Sequence, residues 1–305
     1  MKVILVTGSE GFVGTHLLKV LQEGLYRVVP TCYPLFMPKN GKYLPLEISN
    51  AEMVHEILKT HQPDIVFHLA AMSSVSKSFK EPLVTYQTNI IGTANILEAA
   101  RNLKKKPRIV FISTCEVYGG GENISEDTPV NLMNPYAVSK YSAELICQNY
   151  IAEGLDVVIL RPFTHTGTGH ARNFVLPTIA AQIAEIELGK RPPIVEIGNT
   201  EIRREFMNVQ DIVNGYSQAI SKADTGRIYN ISSGYGYSIS DALKRFQKLA
   251  KAKFEVRIDP SRIRKIDIPV LVGNGELFNH TTRWKPKIKF EKTIEDLLNY
   301  WRAKV

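Results

Sequence analysis

Short apolar runs alternate with segments of helical periodicity along the first half of the chain. Apolar runs bounded by Gly, Pro or polar residues predict strands, and apolar positions three or four residues apart predict helices. The predicted strands are residues 3–6, 27–29, 64–69, 108–112 and 156–160. The predicted helices are residues 15–23, 88–101 and 135–153. This alternation predicts a parallel sheet with helices on both faces, and right-handed crossovers then give a doubly wound α/β (Rossmann) fold.

The pattern changes after Arg161-Pro162, where Pro and Gly become denser and the predicted elements become shorter. A helix is predicted over residues 238–251, starting from a serine cap, and an amphipathic helix over residues 293–302. We therefore expect a smaller C-terminal lobe after the Rossmann domain. With 305 residues, the chain is long enough to form both.

A glycine-rich turn follows the first predicted strand and leads into the first predicted helix. The segment reads Thr-Gly-Ser-Glu-Gly-Phe-Val-Gly, with Gly8, Gly11 and Gly14 in GxxGxxG spacing. Glycines let the backbone approach a pyrophosphate closely, and the helix N-terminus presents free N–H groups and a partial positive charge. In this strand-turn-helix context, the spacing predicts a dinucleotide-binding site.

The end of the second predicted strand bears on the choice of dinucleotide. A Rossmann fold that prefers NAD usually has an acidic residue about 20 residues further on, which binds the ribose 2′-hydroxyl. No Asp or Glu occurs between Glu23 and Glu47, whereas the cations Arg27, Lys39 and Lys42 are nearby. We therefore expect NADP(H) as the cofactor, with NAD(H) as the alternative.

Tyr136 and Lys140 are four residues apart in a predicted helix and therefore share one face. A nearby ammonium group favours the phenolate and lowers the pKa of a tyrosine. Tyr136 can then exchange a proton with a sugar hydroxyl or ketone. Thr114 and Glu116 follow a predicted strand, at the end where ligands bind in such sheets. The Thr114 hydroxyl can hydrogen-bond the reacting oxygen, and Glu116 is either a chemical group or a structural carboxylate.

The formal net charge of +8 suits an anionic ligand. The longest basic run, Lys104-Lys105-Lys106, has no aromatic residues interleaved with it, so nucleic-acid binding is not predicted. Three widely spaced cysteines without a CxxC pair, together with scattered histidines, predict neither a disulfide framework nor a metal site. The N-terminal apolar run reads as a strand and not as a signal peptide, and no apolar run reaches membrane-spanning length. We expect a cytoplasmic protein without membrane contact.

Several motifs resemble, in their order along the chain, those of the extended short-chain dehydrogenases/reductases. This is the group of nucleotide-sugar epimerases and dehydratases. The motifs lie at residues 7–14, 68–71, 88–93, 113–119, 136–140 and 160–162. The resemblance covers essentially the whole chain, and together the motifs are highly specific.

The resemblance implies a role for each motif. Tyr136 is the implied catalytic acid/base, and Lys140 is implied to bond the nicotinamide ribose and to lower the tyrosine pKa. Thr114 is the implied hydroxyl helper, and Glu116 is a fourth catalytic candidate. The implied cofactor-binding residues are Gly8, Gly11, Phe12, Val13 and Gly14 at the pyrophosphate, Glu47 and Ile48 at the adenine, Leu69, Ala70 and Ala71 along the cleft, and Lys140. The family usually has Asp where this chain has Glu47.

Within the family, four segments are most similar to enzymes that act on GDP-linked 6-deoxy sugars, with departures at Thr164 and Thr168. They are residues 163–169, 173–175, 204–211 and 264–269. A GDP-linked sugar is therefore the expected substrate. Arg204 and Arg264 are implied phosphate ligands, because a guanidinium fork matches phosphate oxygens. The candidate substrate-binding residues are Ser73, Ser74, Thr164, His165, Asn173, Val175, Arg204 and Arg264.

The resemblance also implies a domain organisation and an assembly. The expected domains are a Rossmann domain at residues 1–162 with a return segment near 203–221, and a nucleotide-sugar-binding lobe at 163–202 and 222–305. The family usually dimerises through two long helices, here residues 82–101 and 135–153. A homodimer is therefore expected.

The candidate reactions share a hydride transfer at sugar C4. We favour an NAD(P)H-dependent reductase of a GDP-4-keto-6-deoxy sugar, with the proton coming from Tyr136. A 4,6-dehydratase needs an additional base, which Glu116 provides in principle, although Cys115 replaces an Asp found in that group. A 4-epimerase typically keeps NAD bound and has the acidic residue that is missing after the second strand. The alternative from another class is a non-catalytic dinucleotide-binding regulator, although such proteins often lose the Tyr or the Lys.

Overall fold

Strands and helices alternate from the start of the computed structural model, which describes residues 1–36, 41–263 and 267–305. In chain order the strands are β1 (Lys2–Thr7), β2 (Tyr26–Cys32), β3 (Leu44–Pro45), β4 (Ile65–His68), β5 (Arg108–Ile112), β6 (Gly121–Ile124), β7 (Val157–Pro162), β8 (His165–Thr166), β9 (Ile194–Ile197), β10 (Arg203–Arg204), β11 (Met207–Asn208), β12 (Ile228–Ile231), β13 (Tyr237–Ser238), β14 (Glu255–Ile258) and β15 (Val270–Gly273). The helices are α1 (Phe12–Gln22), α2 (Ala51–His61), α3 (Val75–Lys80), α4 (Pro82–Tyr86), α5 (Gly92–Arg101), α6 (Pro135–Ala152), α7 (Val175–Glu187), α8 (Val209–Lys222), α9 (Ile239–Leu249), α10 (Glu276–Thr282) and α11 (Phe290–Arg302).

The central sheet has seven strands in the order β12-β7-β5-β4-β1-β2-β3. Every neighbouring pair in it is parallel. The strand order reverses between β1 and β4, and open α/β sheets bind ligands beyond the carboxyl ends of strands at such a point. The predicted doubly wound α/β fold is confirmed, and the predicted glycine turn follows β1 at this point.

Two apolar cores cover the two faces of the central sheet. On one face, α1 and α8 contribute Leu17 and Tyr216. On the other face, α2, α5 and α6 contribute Leu58, Ile96 and Cys147. Burial on both faces explains why β4 and β7 are buried along their whole length and lack the alternation of a half-exposed strand.

A third core lies in the C-terminal lobe, where α7, α9 and α11 pack together through Ile183, Phe246 and Leu297. A second sheet, β13-β10-β15-β6, lies beside it. Its strand β6 comes from the segment predicted for the Rossmann domain.

Among the described residues, no helix combines the length and apolar character needed to cross a bilayer.

Strand β12, like β6, lies outside its predicted domain. The segment 222–305 is predicted to belong to the lobe, but Ile228–Ile231 is the edge strand β12 of the central sheet, parallel to β7. Only four residues form this strand, so its periodicity is too short to identify it, and its pairing depends on a neighbour far away in sequence. The other domain boundaries stay predictions.

Candidate active site

The turn between β1 and α1 requires glycine at two of its three predicted positions. Gly8 has φ of +65°, and a Cβ there would lie 2.8 Å from the Ala70 Cα atom. A Cβ on Gly14 would lie 2.5 Å from the Gly8 carbonyl oxygen. Gly11 caps α1 without a side-chain hydrogen bond, so the first N–H groups of the helix remain available to a ligand. This turn fits a dinucleotide pyrophosphate, which needs close backbone approach and N–H donors.

Hydrogen bonds join this turn to the end of β4. The Ala70 N–H donates to the Thr7 hydroxyl over 3.1 Å, and that hydroxyl is 2.9 Å from His68 Nδ1. His68 is buried and its Nε2 is 3.0 Å from the Thr93 hydroxyl. Burial lowers the pKa of His68 to about 3, so its ring is neutral. The predicted cleft wall, Leu69, Ala70 and Ala71, therefore starts directly beside Gly8.

Tyr136 lies in the first turn of α6, where three polar side chains hold the backbone. Asn134 caps the helix by accepting a hydrogen bond from the Ala137 N–H over 2.8 Å. The Ser78 hydroxyl accepts from the Tyr136 N–H over 3.2 Å. Asn89 donates to the Ser139 hydroxyl over 2.8 Å. The predicted site did not include Ser78 or Asn134, although an Asn before a Pro is a helix-start signal in the sequence.

Thr114 lies close enough to the Tyr136 phenol to affect its pKa, which brings two predicted catalytic groups together. Burial raises the pKa of Tyr136, and the neighbouring Thr114 hydroxyl only partly opposes this. The phenol is therefore protonated at neutral pH in the free protein. A protonated phenol can donate a proton to a developing alkoxide.

Lys140 is one turn further along α6 and is buried, with Nζ 4.4 Å from the centroid of the Phe111 ring. Burial lowers its own pKa to about 8. Burial raises the pKa of the phenol in the free protein, and the expected lowering of that pKa by Lys140 stays a prediction. The pKa of the phenol rises because loss of hydration of the phenolate dominates in this buried position.

A buried ion pair anchors α6 to the central sheet below these groups. Arg161 Nη2 donates to Glu144 Oε2 over 2.6 Å, and Ser113 also donates to Glu144. Arg161 further donates to the Tyr118 hydroxyl over 2.8 Å, and Tyr118 donates to Asn230 over 2.8 Å. Arg161 and Glu144 are 3% and 0% exposed, so neither charge is solvated. Sequence reasoning missed this pair, because Glu144 and Arg161 lie on different elements.

A small cleft opens beside Glu116. It is lined by Val75, Phe79, Glu116, Met133, Asn134, Arg204, Asp267 and Ile268. Asn134 donates to Glu116 Oε2 over 3.1 Å and fixes the carboxylate. Arg204 is largely buried and donates to the Arg203 carbonyl over 2.8 Å. The cleft therefore combines one predicted catalytic candidate with one predicted phosphate ligand.

The remaining predicted substrate residues are spread over several places in the fold. Ser74 caps α3, which carries the cleft residues Val75 and Phe79, and Ser73 precedes it on the surface. Asn173 is exposed, just before α7 begins at Val175. Arg264 lies outside the described residues, although its neighbours Asp267 and Ile268 line the cleft.

His165 lies against the cofactor turn, and Thr164 precedes it in the chain. The His165 ring stacks on Phe12 with centroids 6.2 Å apart, and His170 stacks on the same ring at 4.3 Å. The Thr164 carbonyl accepts from the Met207 N–H over 3.0 Å. Phe12 thereby joins the start of α1 to the segment that leads into the lobe.

At the other end of the expected cofactor site, Ile48 packs against the helix that carries Gly92. A Cβ on Gly92 would lie 2.6 Å from the Ile48 side chain. Glu47 accepts hydrogen bonds from the Ser49 N–H and hydroxyl over 3.1 and 2.9 Å. This geometry leaves the adenine role of Glu47 and Ile48 a prediction.

The Rossmann sheet, the glycine turn and the Tyr136–Lys140 pair define a nicotinamide-dependent oxidoreductase of the extended short-chain dehydrogenase/reductase type. The chain belongs to the GDP-mannose 4,6 dehydratase family, whose model matches residues 5–297.

Known relatives cover the full length of the chain. It is 32% identical to the GDP-6-deoxy-D-mannose reductase of Pseudomonas aeruginosa, over 99% of this chain and 98% of the relative. The structure of RMD from Pseudomonas aeruginosa complexed with NADPH matches with a TM-score of 0.90 and 29% identity, covering 100% of both chains. The Thermus thermophilus UDP-glucose 4-epimerase complex with NAD matches with a TM-score of 0.87 and 26% identity, over 99% of this chain and 100% of that chain. Similar proteins thus hold either nicotinamide dinucleotide.

Proposed function

We propose that this protein is an NAD(P)H-dependent reductase that converts a GDP-linked 4-keto-6-deoxy sugar to the corresponding alcohol. The observation that carries the proposal is the closeness of Thr114 to the Tyr136 phenol, with the pKa of the phenol raised by burial. A reductase needs a protonated group beside the carbonyl oxygen, and this phenol remains protonated at neutral pH. When bound, the reduced nicotinamide supplies the hydride to C4. Tyr136 donates the proton to the C4 oxygen, and Thr114 orients that oxygen.

The coenzyme-binding residues are proposed from their places around the turn. Gly8, Gly11, Phe12, Val13 and Gly14 would cradle the pyrophosphate, with Leu69, Ala70 and Ala71 forming the cleft wall. Lys140 would donate to the nicotinamide ribose. Glu47 and Ile48 would lie beside the adenine.

The sugar nucleotide would occupy the cleft beside Glu116. Arg204 lines this cleft and offers a guanidinium to the diphosphate, with Arg264 as the second phosphate ligand. Asn173 and Val175 would contact the nucleotide at the start of α7. Ser73, Ser74, Thr164 and His165 stay candidates for the sugar pocket. GDP as the nucleotide rests on the similarity to the Pseudomonas aeruginosa reductase.

A 4,6-dehydratase is the second candidate, and Glu116 is the observation that favours it. Its carboxylate is held in the cleft by Asn134, where it can act as a base. The neighbouring Cys115 weighs against this reaction because its thiol is buried in the core and burial raises its pKa. A buried, protonated thiol does not replace an Asp that faces a substrate. A 4-epimerase of the same family remains the further alternative.

Absorbance of NADPH and of NADH, followed with purified protein and GDP-4-keto-6-deoxy-mannose, tests the proposal. We expect coenzyme oxidation that requires the sugar. Absence of oxidation with both coenzymes would overturn the reductase. Formation of a 4-keto product from GDP-mannose in the same preparation would then support the dehydratase.

A homodimer is proposed through α4, α5 and α6, which lie side by side on the surface. Four apolar side chains on these helices and their junction are exposed, namely Leu83, Val84, Ile91 and Leu145. Exposed apolar side chains on neighbouring helices favour an interaction site there. Sedimentation equilibrium should give the mass of two chains, and a single-chain mass at all concentrations would contradict the proposal. The cytoplasmic location stays a prediction.

A further inference from the structure

A carboxylate lies at the carboxyl end of β2, although the sequence from Tyr33 to Leu46 contains no Asp or Glu. It belongs to Glu10, in the glycine turn between β1 and α1. Glu10 Oε1 accepts a hydrogen bond over 3.1 Å from the N–H of Tyr33, the first residue after β2. This is the end of the strand at which an acidic side chain normally binds the ribose 2′-hydroxyl in NAD-preferring Rossmann folds.

The second oxygen of this carboxylate has no partner among the described residues. Glu10 Oε2 is buried and makes no hydrogen bond in the described part of the chain. The charge of Glu10 adds to burial in raising the pKa of the Cys32 thiol and of the Tyr43 phenol, so the carboxylate lies close to both. A buried carboxylate oxygen without a donor is unfavourable, and a ligand hydroxyl would satisfy it.

The backbone that carries Glu10 is fixed to β2. The neighbouring Ser9 hydroxyl donates to the Val6 carbonyl over 2.7 Å and accepts from the Thr31 N–H over 3.1 Å. The Ser9 N–H also donates to the Thr31 carbonyl over 2.9 Å. These hydrogen bonds join the turn to the end of β2, and they therefore fix the backbone position of Glu10.

We propose that Glu10 accepts hydrogen bonds from the adenosine ribose hydroxyls and makes the protein prefer NADH to NADPH. A ribose 2′-hydroxyl is a donor and fits the unpartnered oxygen. A 2′-phosphate is mostly a dianion at neutral pH and would place a second anion against the carboxylate. The inference rests on coenzyme binding at the glycine turn, and it does not depend on which sugar reaction follows.

The cations expected to favour NADP(H) are placed differently from this carboxylate. Arg27 pairs with Val3 near the amino end of β2 and donates to the His61 carbonyl over 3.4 Å. Cys32 is five steps along the extended strand from Arg27, which is roughly 16 Å at about 3.3 Å per residue. Lys42 is exposed beside Tyr43, and Lys39 lies outside the described residues. The preference for NADH or NADPH therefore depends on Glu10 and on the cations that follow β2.

Equilibrium titration with NADH and with NADPH, without any sugar present, tests this inference. We expect the wild-type protein to bind NADH about tenfold more tightly than NADPH, and Glu10→Gln to reduce this ratio about tenfold. The Gln side chain has the size of Glu and can still accept the hydrogen bond from the Tyr33 N–H, but it carries no charge. Glu10→Ser, with the side chain shortened, serves as a second variant if the first folds poorly.

The matched control is Glu23→Gln, which makes the same charge change at the exposed far end of α1. It should leave the ratio of the two affinities unchanged. Two results would overturn this inference and leave the proposed function intact. One is tighter binding of NADPH than of NADH by the wild type. The other is an unchanged ratio of the two affinities in both Glu10 variants. Failure of both coenzymes to bind overturns it together with the proposed function.

Discussion

Replacement of Tyr136 by Phe is expected to lower kcat about a thousandfold, because a positioned general acid contributes roughly 10²- to 10⁴-fold. The change removes only the hydroxyl that lies close to Thr114. The rest of the ring stays buried in the first turn of α6, so coenzyme affinity and thermal stability should change little. Turnover of coenzyme with the keto sugar measures kcat, and titration of coenzyme on the same preparation measures coenzyme affinity. Thermal denaturation measures the stability.

Tyr150→Phe provides the matched control for this variant. Tyr150 is on the same helix, and its hydroxyl donates to Glu98 over 2.7 Å, away from the cleft. Its loss should cost about 1 kcal/mol of stability at most and leave kcat unchanged. A Tyr136→Phe enzyme with more than a tenth of the wild-type kcat would show that another group donates the proton.

The second large effect concerns stability. Arg161→Met is expected to lower the free energy of unfolding by about 3–5 kcal/mol, because it leaves the Glu144 carboxylate buried without its counter-charge. Glu144 has no exposure to solvent, and Arg161 supplies two of its hydrogen bonds. At about 2–4 °C of Tm per kcal/mol, the melting temperature should fall by roughly 10 °C. Urea and thermal denaturation measure the loss.

Two comparisons make this prediction specific to the buried pair. Arg172→Met breaks a half-exposed pair with Glu185 and should cost about 1 kcal/mol or less. The double variant Glu144→Met with Arg161→Met should recover most of the loss, because no uncompensated charge remains. A loss in Arg161→Met no greater than that in Arg172→Met would mean that the buried pair contributes little.

The elements of the Rossmann half were predictable because each depends on local pattern. The strand predicted at residues 108–112 has the same bounds as β5, and the predicted helix over 135–153 differs from α6 by one residue. The helix predicted at 88–101 is longer and less regular, since α4 begins at Pro82 and Gln87–Ile91 is a π-helical turn. Periodicity indicates that a helix exists but does not resolve an extra residue within a turn.

Side-chain direction at the site was less predictable than side-chain identity. Thr114, Cys115 and Glu116 are consecutive, and nothing in their order says which of them faces a ligand. Thr114 lies close to Tyr136, Cys115 is buried in the core, and Glu116 enters the cleft. The short 3₁₀ turn Cys115–Tyr118 decides these directions, and it forms where β5 ends against α6.

The sequence by itself determined the fold class, the glycine turn and the Tyr136–Lys140 spacing, because each is encoded within a few neighbouring residues. Only the tertiary structure decided that β12 joins the central sheet, that Arg161 neutralises Glu144, and that Glu10 lies at the end of β2. These contacts join residues that are 17 to 69 positions apart. Their formation depends on strand register and side-chain rotation in a packed core, which no local pattern encodes.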